Sequence, residues 1–518
     1  MKGIIINSDA DGILKGIGKK GAPPTTAEDI LNFPETFEGS QITDYFINVA
    51  ENLTTFPSER YESYVSKYHQ KIENGIPVDY TEGICARGAH IVFDELKVDH
   101  NALMIEGFKK VGINPWISFR MNDVHDRRMQ ASFNLTDFFH EHPEYLRAKH
   151  PPEMWMTNSD DCTYDYTVEE VRDYFYGIIE ESLERYDCYG IELDFLRDIH
   201  MFAIGKDYDG VEILNGFMRR VDALVAKYEK KYGHEFKFAV RVAPDIQTNF
   251  NFGLDVMQWV RDGIVDMIIL GNHLASVDND MPIKLWKNLT EPYGTSIVAS
   301  IDMATTDMGI APSPGYTSQH NIETVAAFAA HAYAQGADKI YFYNYFVISP
   351  HHRFNKNAPL IPDPKADVFW DGNMYWTIMN TVGDPDTVQG MNRRHIITYK
   401  DIRAPWESKG GVGRQLPNGF SRVGCFKLFV GDIPENAEVT LRVGVKDPKK
   451  AAANPPMVYT NNVKCEYIGT MFDERFAKDI LLCYRIPKEA HGNMLCPYFG
   501  LHEPTEFTYV EAFIKVSE

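Results

Sequence analysis

The segment Gly190-Ile191-Glu192-Leu193-Asp194-Phe195 places two carboxylates two residues apart inside an apolar run. In an extended strand residues i and i+2 point to the same side, so Glu192 and Asp194 project together. Like charges held close in an apolar setting push at least one pKa upward. That keeps a general acid protonated near neutrality beside an ionised base or nucleophile. Asp194 and Glu192 are the first candidates for catalytic carboxylates. The plainer reading pairs one of them with Arg120, Arg197 or Arg241 as a brace. Asp302 is a third candidate acid, with a helix cap as its plainer alternative because Thr305 and Thr306 follow closely.

Other polar groups also stand at the ends of apolar runs. They are Asn7 and Asp9, Asn48 and Glu51, Arg120-Met121-Asn122-Asp123-Val124-His125, Arg197, Arg241 and Asp245, Asn272 and His273, and Asn344 and Tyr345. Convergent donors and acceptors suit a polyhydroxylated ligand whose C–H faces stack on aromatic rings, and 13% of the residues are aromatic. Arg120, Asn122, Asp123, His125, Arg197, Arg241, Asn272, His273, Asn344 and Tyr345 are therefore expected to contact substrate. No metal-ligand spacing is evident and no metal or other cofactor is expected, although Asp123, His125 and Asp302 could meet around an ion. His351-His352 reads as a solvated loop and Trp116, Trp259 and Trp286 as core. Trp370 and Trp376 fit core or sugar stacking.

These residues need a scaffold that brings strand ends together. Eight apolar segments begin near residues 4, 42, 115, 190, 236, 264, 296 and 340, most of them separated by helical patterns. Val171, Tyr174, Phe175, Ile178 and Leu183 share one helical face, behind a Thr167-Val168-Glu169-Glu170 stretch that predicts a capping box. Near-continuous apolar strands with helical crossovers argue a parallel sheet covered on both faces. Eight of them fit a (β/α)8 TIM barrel, whose reacting groups sit at the carboxyl ends of the strands. An open doubly wound sheet would place a Gly-rich turn after the first strand. Asn7-Ser8-Asp9-Ala10-Asp11-Gly12 lacks that spacing. Beyond about residue 388 the alternation has period 2, as in Val439, Leu441, Val443 and Val445, which predicts a C-terminal antiparallel β-sandwich. The expected division is 1–387 for the barrel and 388–518 for the sandwich.

The 52 basic against 73 acidic residues leave a net charge of −21, which repels phosphate backbones and anionic membranes and excludes nucleic acid as an expected partner. No apolar run is long enough to span a membrane, and Met1-Lys2-Gly3-Ile4-Ile5-Ile6-Asn7 turns polar at once. Seven scattered cysteines without a CxxC pair fit a reduced, cytoplasmic protein. Homo-oligomerisation is left open.

Three stretches occur in order: Arg120 to His125, Tyr186-Asp187-Cys188-Tyr189-Gly190-Ile191-Glu192-Leu193-Asp194-Phe195-Leu196-Arg197, and Gly336-Ala337-Asp338-Lys339-Ile340-Tyr341-Phe342-Tyr343-Asn344-Tyr345. With Gly253-Leu254-Asp255-Val256, Trp259-Val260 and Gly263-Ile264-Val265-Asp266, the chain resembles the family-10-like glycoside hydrolase barrels over most of residues 1–385. That group is often found in bacteria that degrade complex polysaccharides. The resemblance implies a glycosidase-like site centred on Asp194. Asp194 is also similar to the fourth-strand nucleophile of α-amylase-type barrels, although Glu192 stands where that pattern has Arg. The catalytic Glu of chitinase-type barrels would fall at Leu196, which cannot act as an acid.

The expected function is a glycoside hydrolase cleaving an oligosaccharide with a carboxylate pair, the arginines raising the prospect of an acidic plant or algal sugar. Two alternatives remain: a metal-assisted hydrolase or lyase acting through Asp123, His125 and Asp302, and a non-catalytic carbohydrate-binding barrel.

Overall fold

The structure is a computed structural model. It describes residues 2–9, 14, 24–75, 84–127, 132, 134–148, 159–272, 277–302, 304–306, 317–343, 372–397 and 421–517. Eight parallel strands close into a barrel in chain order: β1 (Ile4–Ser8), β2 (Ile42–Ala50), β3 (Asn114–Arg120), β4 (Gly190–Asp194), β5 (Lys237–Val242), β6 (Met267–Leu270), β7 (Ser296–Asp302) and β8 (Lys339–Tyr343). β8 returns to pair with β1, Ile5 lying opposite Tyr341. Each central strand is buried on both faces, which explains its apolar run.

The barrel is plugged from below by aromatics. Phe46 stacks on Trp116 at 4.6 Å between ring centroids, and Tyr341 meets Phe46 edge-on. Gly190 is required beside this plug, because a Cβ there would lie 2.6 Å from the Trp116 ring. The Trp116 indole N–H donates to Asp44, which also pairs with Lys339, so the floor's polar atoms are satisfied.

The long helices follow the expected periodicities: His100–Lys110, Glu169–Arg185, Asp207–Tyr232 and Ile322–Ala334. The capping box at Thr167 does not form. Thr167 turns both its hydroxyl and its N–H to Asp165, and the helix starts after Val168 without a side-chain cap. The local Asp165 carboxylate is the nearer acceptor and wins the competition for the hydroxyl. Asp245, read as a strand-end group, instead caps Ile246–Asn251 by accepting from the Thr248 N–H at 2.8 Å.

Helix Ile322–Ala334 is apolar all round, since every residue from Thr324 to Ala332 is buried. Two neighbours account for this. The barrel covers one side, and strand Arg393–Ile397 of the second unit covers another. That unit has a five-stranded antiparallel sheet, in the order Arg393–Ile397, Phe507–Val516, Ala437–Val445, Asp479–Ile486 and Glu466–Asp473. A four-stranded sheet faces it, and Phe426, Phe499 and Phe507 pack together between them. Val439, Leu441, Val443 and Val445 point inward as the period-2 pattern predicts. The amide of Asn279, beyond β6, donates to the Ile396 carbonyl and helps dock the two units. Trp116, Trp259, Trp286 and Trp376 are all core, while Trp370 and His351-His352 lie outside the described residues. Among the described residues no helix is long and apolar enough to cross a membrane, and no disulfide joins any of the seven cysteines.

Candidate functional site

Strand register stacks the polar residues in two tiers above the aromatic floor. Glu192 on β4 lies level with Ser118 on β3 and Ala239 on β5. One step nearer the carboxyl ends, Asp194 lies level with Arg120 and Arg241. Asp302, at the end of β7, is level with Tyr343 of β8.

In the lower tier Glu192 is completely enclosed. The Ser118 hydroxyl lies 2.5 Å from Oε2, and the Tyr341 hydroxyl lies 2.9 Å from Oε1 and 3.1 Å from Oε2. Burial, and secondarily the charge of Asp194, push its carboxyl up to about 8. Glu192 is therefore predominantly protonated at neutral pH, and no part of it reaches solvent.

In the upper tier Asp194 is held as an acceptor. Arg241 Nη1 donates to Oδ1 at 2.8 Å and to Oδ2 at 3.0 Å. The backbone N–H groups of Leu196 and Arg197 donate to Oδ1 at 3.0 and 3.2 Å. The Arg241 guanidinium lies flat on the Tyr343 ring, 3.5 Å from its centroid. Of the two outcomes open to Arg241, the structure places it on Asp194.

Arg120 is the hub on the neighbouring strand β3. Buried to 1% side-chain exposure, it pairs with Asp9, with Glu51 at 3.0 Å and with Asp123 at 2.9 Å. Burial opposes its charge, but Asp9 and Glu51, then Tyr343 and Asp123, hold its pKa well above the ordinary value. Asp123 has the converse balance. Burial works against its ionisation, yet His125, Arg120 and Arg197 keep its carboxyl well below the usual range. His125 Nδ1 lies 2.7 Å from Asp123, and Arg197 reaches His125 Nε2. Asp123 is thus occupied by cations and is not an open metal ligand.

Asn122 departs from expectation. Its amide donates to the carbonyls of Tyr164 and His200, both at 3.0 Å, and its oxygen accepts from the Tyr164 N–H at 2.9 Å. This side chain, two residues past the end of β3, ties loops together and has no amide hydrogen left for substrate. Asp302 is half-buried at the barrel mouth. Among the described residues it caps no helix, and Ala304–Thr306 after it is a short strand paired with Thr317–Gln319. Asn272 sits beyond β6, while His273, Asn344 and Tyr345 lie outside the described residues.

Sequence reasoning missed Tyr343. Its hydroxyl is buried and, among the described residues, has no hydrogen-bond partner. Burial first, against the pull of Arg120, keeps the phenol protonated. The signal was present in Tyr341 and Tyr343, spaced two apart on a strand like Glu192 and Asp194, but tyrosines read as apolar filling. Asn7 Oδ1 and Asn272 Nδ2, at the ends of β1 and β6, are likewise buried without partners among the described residues. Native interiors leave few such groups, and each calls for an explanation such as a bound ligand.

The protonated state of Glu192 has a measurable consequence. Its folded pKa, about 8, exceeds the ordinary 4.5. The folded state therefore holds an extra proton between those values, and stability falls as pH rises through this window. Glu192→Gln removes the titration. Relative to wild type, the variant should gain stability progressively from about pH 5 to pH 8, reaching on the order of a few kcal/mol. Denaturant midpoints measured across that range check this; parallel curves for the two proteins would refute it.

No family model and no curated protein matches the chain. Among solved structures it is similar to α-L-fucosidase isoenzyme 2 from Paenibacillus thiaminolyticus, at 12% identity over 73% of this chain and 48% of that one, with a TM-score of 0.41. It is also similar to chitinase ChiA74 from Bacillus thuringiensis (9% identity, 98% and 99% covered, TM-score 0.39). The PgaB glycoside hydrolase domain from Bordetella bronchiseptica is a third (9% identity, 67% and 95% covered, TM-score 0.38). The chain spans about half the length of the fucosidase.

Proposed function

We propose that the chain is a glycoside hydrolase whose site is the carboxyl-terminal mouth of the barrel. The observation that carries this reading is Asp194. It is an anchored carboxyl group at the end of β4, held by Arg241 and two backbone N–H groups, at the same end of the barrel as polar atoms of Tyr343, Asn7 and Asn272 that have no hydrogen-bond partner among the described residues. Asp194 acts as nucleophile or base, and Asp302, half-buried at the same end of the barrel, as the acid. Glu192 lies one tier below Asp194, and its oxygens are engaged by the Ser118 and Tyr341 hydroxyls. It is a positioning residue, a neutral carboxyl under Asp194 that spares the site a second buried charge.

Arg120 and Arg241 are already paired with carboxylates, so they offer N–H donors and little surplus positive charge. That favours a neutral sugar over a uronic one. The reading through a metal at Asp123, His125 and Asp302 is disfavoured by Arg120 and Arg197, the cations that occupy Asp123.

The test is a panel of aryl glycosides and plant or algal oligosaccharides, with wild type and Asp194→Asn side by side and a chelator control. Cleavage by wild type that the variant lacks supports the assignment. Binding without cleavage by either protein favours a carbohydrate-binding barrel.

Tyr343→Phe tests the substrate side of the same site. Because the hydroxyl has no partner in the described protein, its removal should change stability by less than about 1 kcal/mol. Losing a buried donor to a sugar hydroxyl should lower kcat/KM by roughly tenfold or more. Equal kcat/KM for variant and wild type would remove Tyr343 from the site.

A further inference from the structure

Between β2 and β3, on the flank of the barrel, helix Tyr64–Glu73 packs against helix Ile84–His90 and the π-helical turn Ile91–Glu95 that continues it. We infer that His69, His90 and Asp94, which meet across this contact, form a binding site for a first-row divalent transition metal of the Zn2+ type. His69 Nε2 lies 2.6 Å and His90 Nδ1 2.7 Å from the same carboxylate oxygen, Asp94 Oδ2. One potential ligand atom from each residue lies within 4.8 Å of the other two. Metal-bound nitrogens and oxygens at about 2.0–2.2 Å from an ion fit within such a triangle after a small outward movement of the side chains.

The local structure prepares the three side chains. His90 and Asp94 are four residues apart and share a helical face, in a π-helical setting that is frequent at functional sites. The His90 ring is clamped by Tyr68, stacked at 4.2 Å with 13° between planes. Its other nitrogen, Nε2, faces the Glu95 carboxylate at 3.5 Å. When a metal takes the Nδ1 lone pair, the ring N–H resides on Nε2, where Glu95 can accept it; carboxylates behind ligating histidines orient them in this way. Two imidazoles and one carboxylate make a borderline donor set suited to Zn2+, Co2+ or Ni2+, and a poor one for Ca2+ or Mg2+, which demand several oxygens.

The triad supplies three ligands and leaves a fourth position open. His69 and Asp94 border a cleft of about 500 Å³, also lined by Ser63, Ser66 and Lys97, from which water or a small anion can complete the coordination. A bound ion would cross-link the two helices. Nothing in this site involves Asp194, so it stands or falls independently of the glycosidase reading.

The full-length chain, stripped of metal by chelation, is titrated with Zn2+ by calorimetry and with Co2+ by visible absorption. One equivalent should bind, with the intense d–d bands of a four-coordinate cobalt site. His69→Ala and Asp94→Asn should each weaken binding by at least about tenfold. His69 is half exposed, so its replacement spares the fold. Absence of binding by wild type overturns the proposal, as does an equivalent of Zn2+ that His69→Ala holds within threefold of wild-type affinity. Preference for Mg2+ or Ca2+ over Zn2+ overturns the assigned donor chemistry.

Discussion

Asp194→Asn is expected to cut turnover by at least about 10³-fold on whichever glycoside the panel identifies, because in the proposed reaction it removes the oxygen that attacks the sugar or activates water. Activity loss on its own would be ambiguous. Arg241, 2% exposed, would lose its anionic partner, and breaking a buried pair costs about 3–5 kcal/mol. Two features moderate that cost here. The Asn oxygen can still accept from the Leu196 and Arg197 N–H groups, and Arg241 keeps the face of Tyr343. Asp194→Glu separates the two effects. It keeps the charge opposite Arg241 but moves the carboxylate along by one methylene, and misplacement of about 1 Å costs about 10²-fold in rate. The pair of variants should thus show a stability loss in Asn that Glu largely avoids, and a rate loss in both. A Glu variant with wild-type turnover would place the reacting carboxylate elsewhere, with Asp302 the next residue to replace.

Much of this arrangement was legible before any coordinates. The eight strands announced themselves because buried parallel strands must be apolar on both faces, and the Glu192–Asp194 spacing followed from the period of two. What escaped was partner choice. Arg120, Arg197 and Arg241 are all candidates for a brace, and the register sets Asp194 level with both Arg120 and Arg241; it is the three carboxylates around Arg120, namely Asp9, Glu51 and Asp123, that leave Asp194 to Arg241. Asn122 looked like a ligand group because it follows Arg120; its commitment to Tyr164 and His200 depends on contacts 42 and 78 residues away. Tyr343 was hidden because tyrosine reads as apolar in a strand. Glu192 stands two residues before Asp194 and so one step below the mouth; what spacing does not show is that Ser118 and Tyr341 engage its oxygens there.

Arg120→Met is expected to destabilise the chain by about 3–5 kcal/mol, the largest stability effect among these residues. The guanidinium answers three carboxylates at once and is itself 1% exposed. Methionine matches much of its volume, so the loss comes from the charges left behind and little from a cavity. Asp123 retains His125 and Arg197, but Asp9 and Glu51 lose their principal cation. Arg120→Lys should recover only part of the loss, because one ammonium cannot span partners that the planar fork reaches through two nitrogens. The combined variant Arg120→Met/Asp9→Asn removes one of the orphaned charges and should be more stable than Arg120→Met by a coupling of about 1–3 kcal/mol in denaturant unfolding. If instead the two losses simply add, the Arg120–Asp9 pair is not what holds β1 against β3, and the hub must be sought in Glu51 and Asp123.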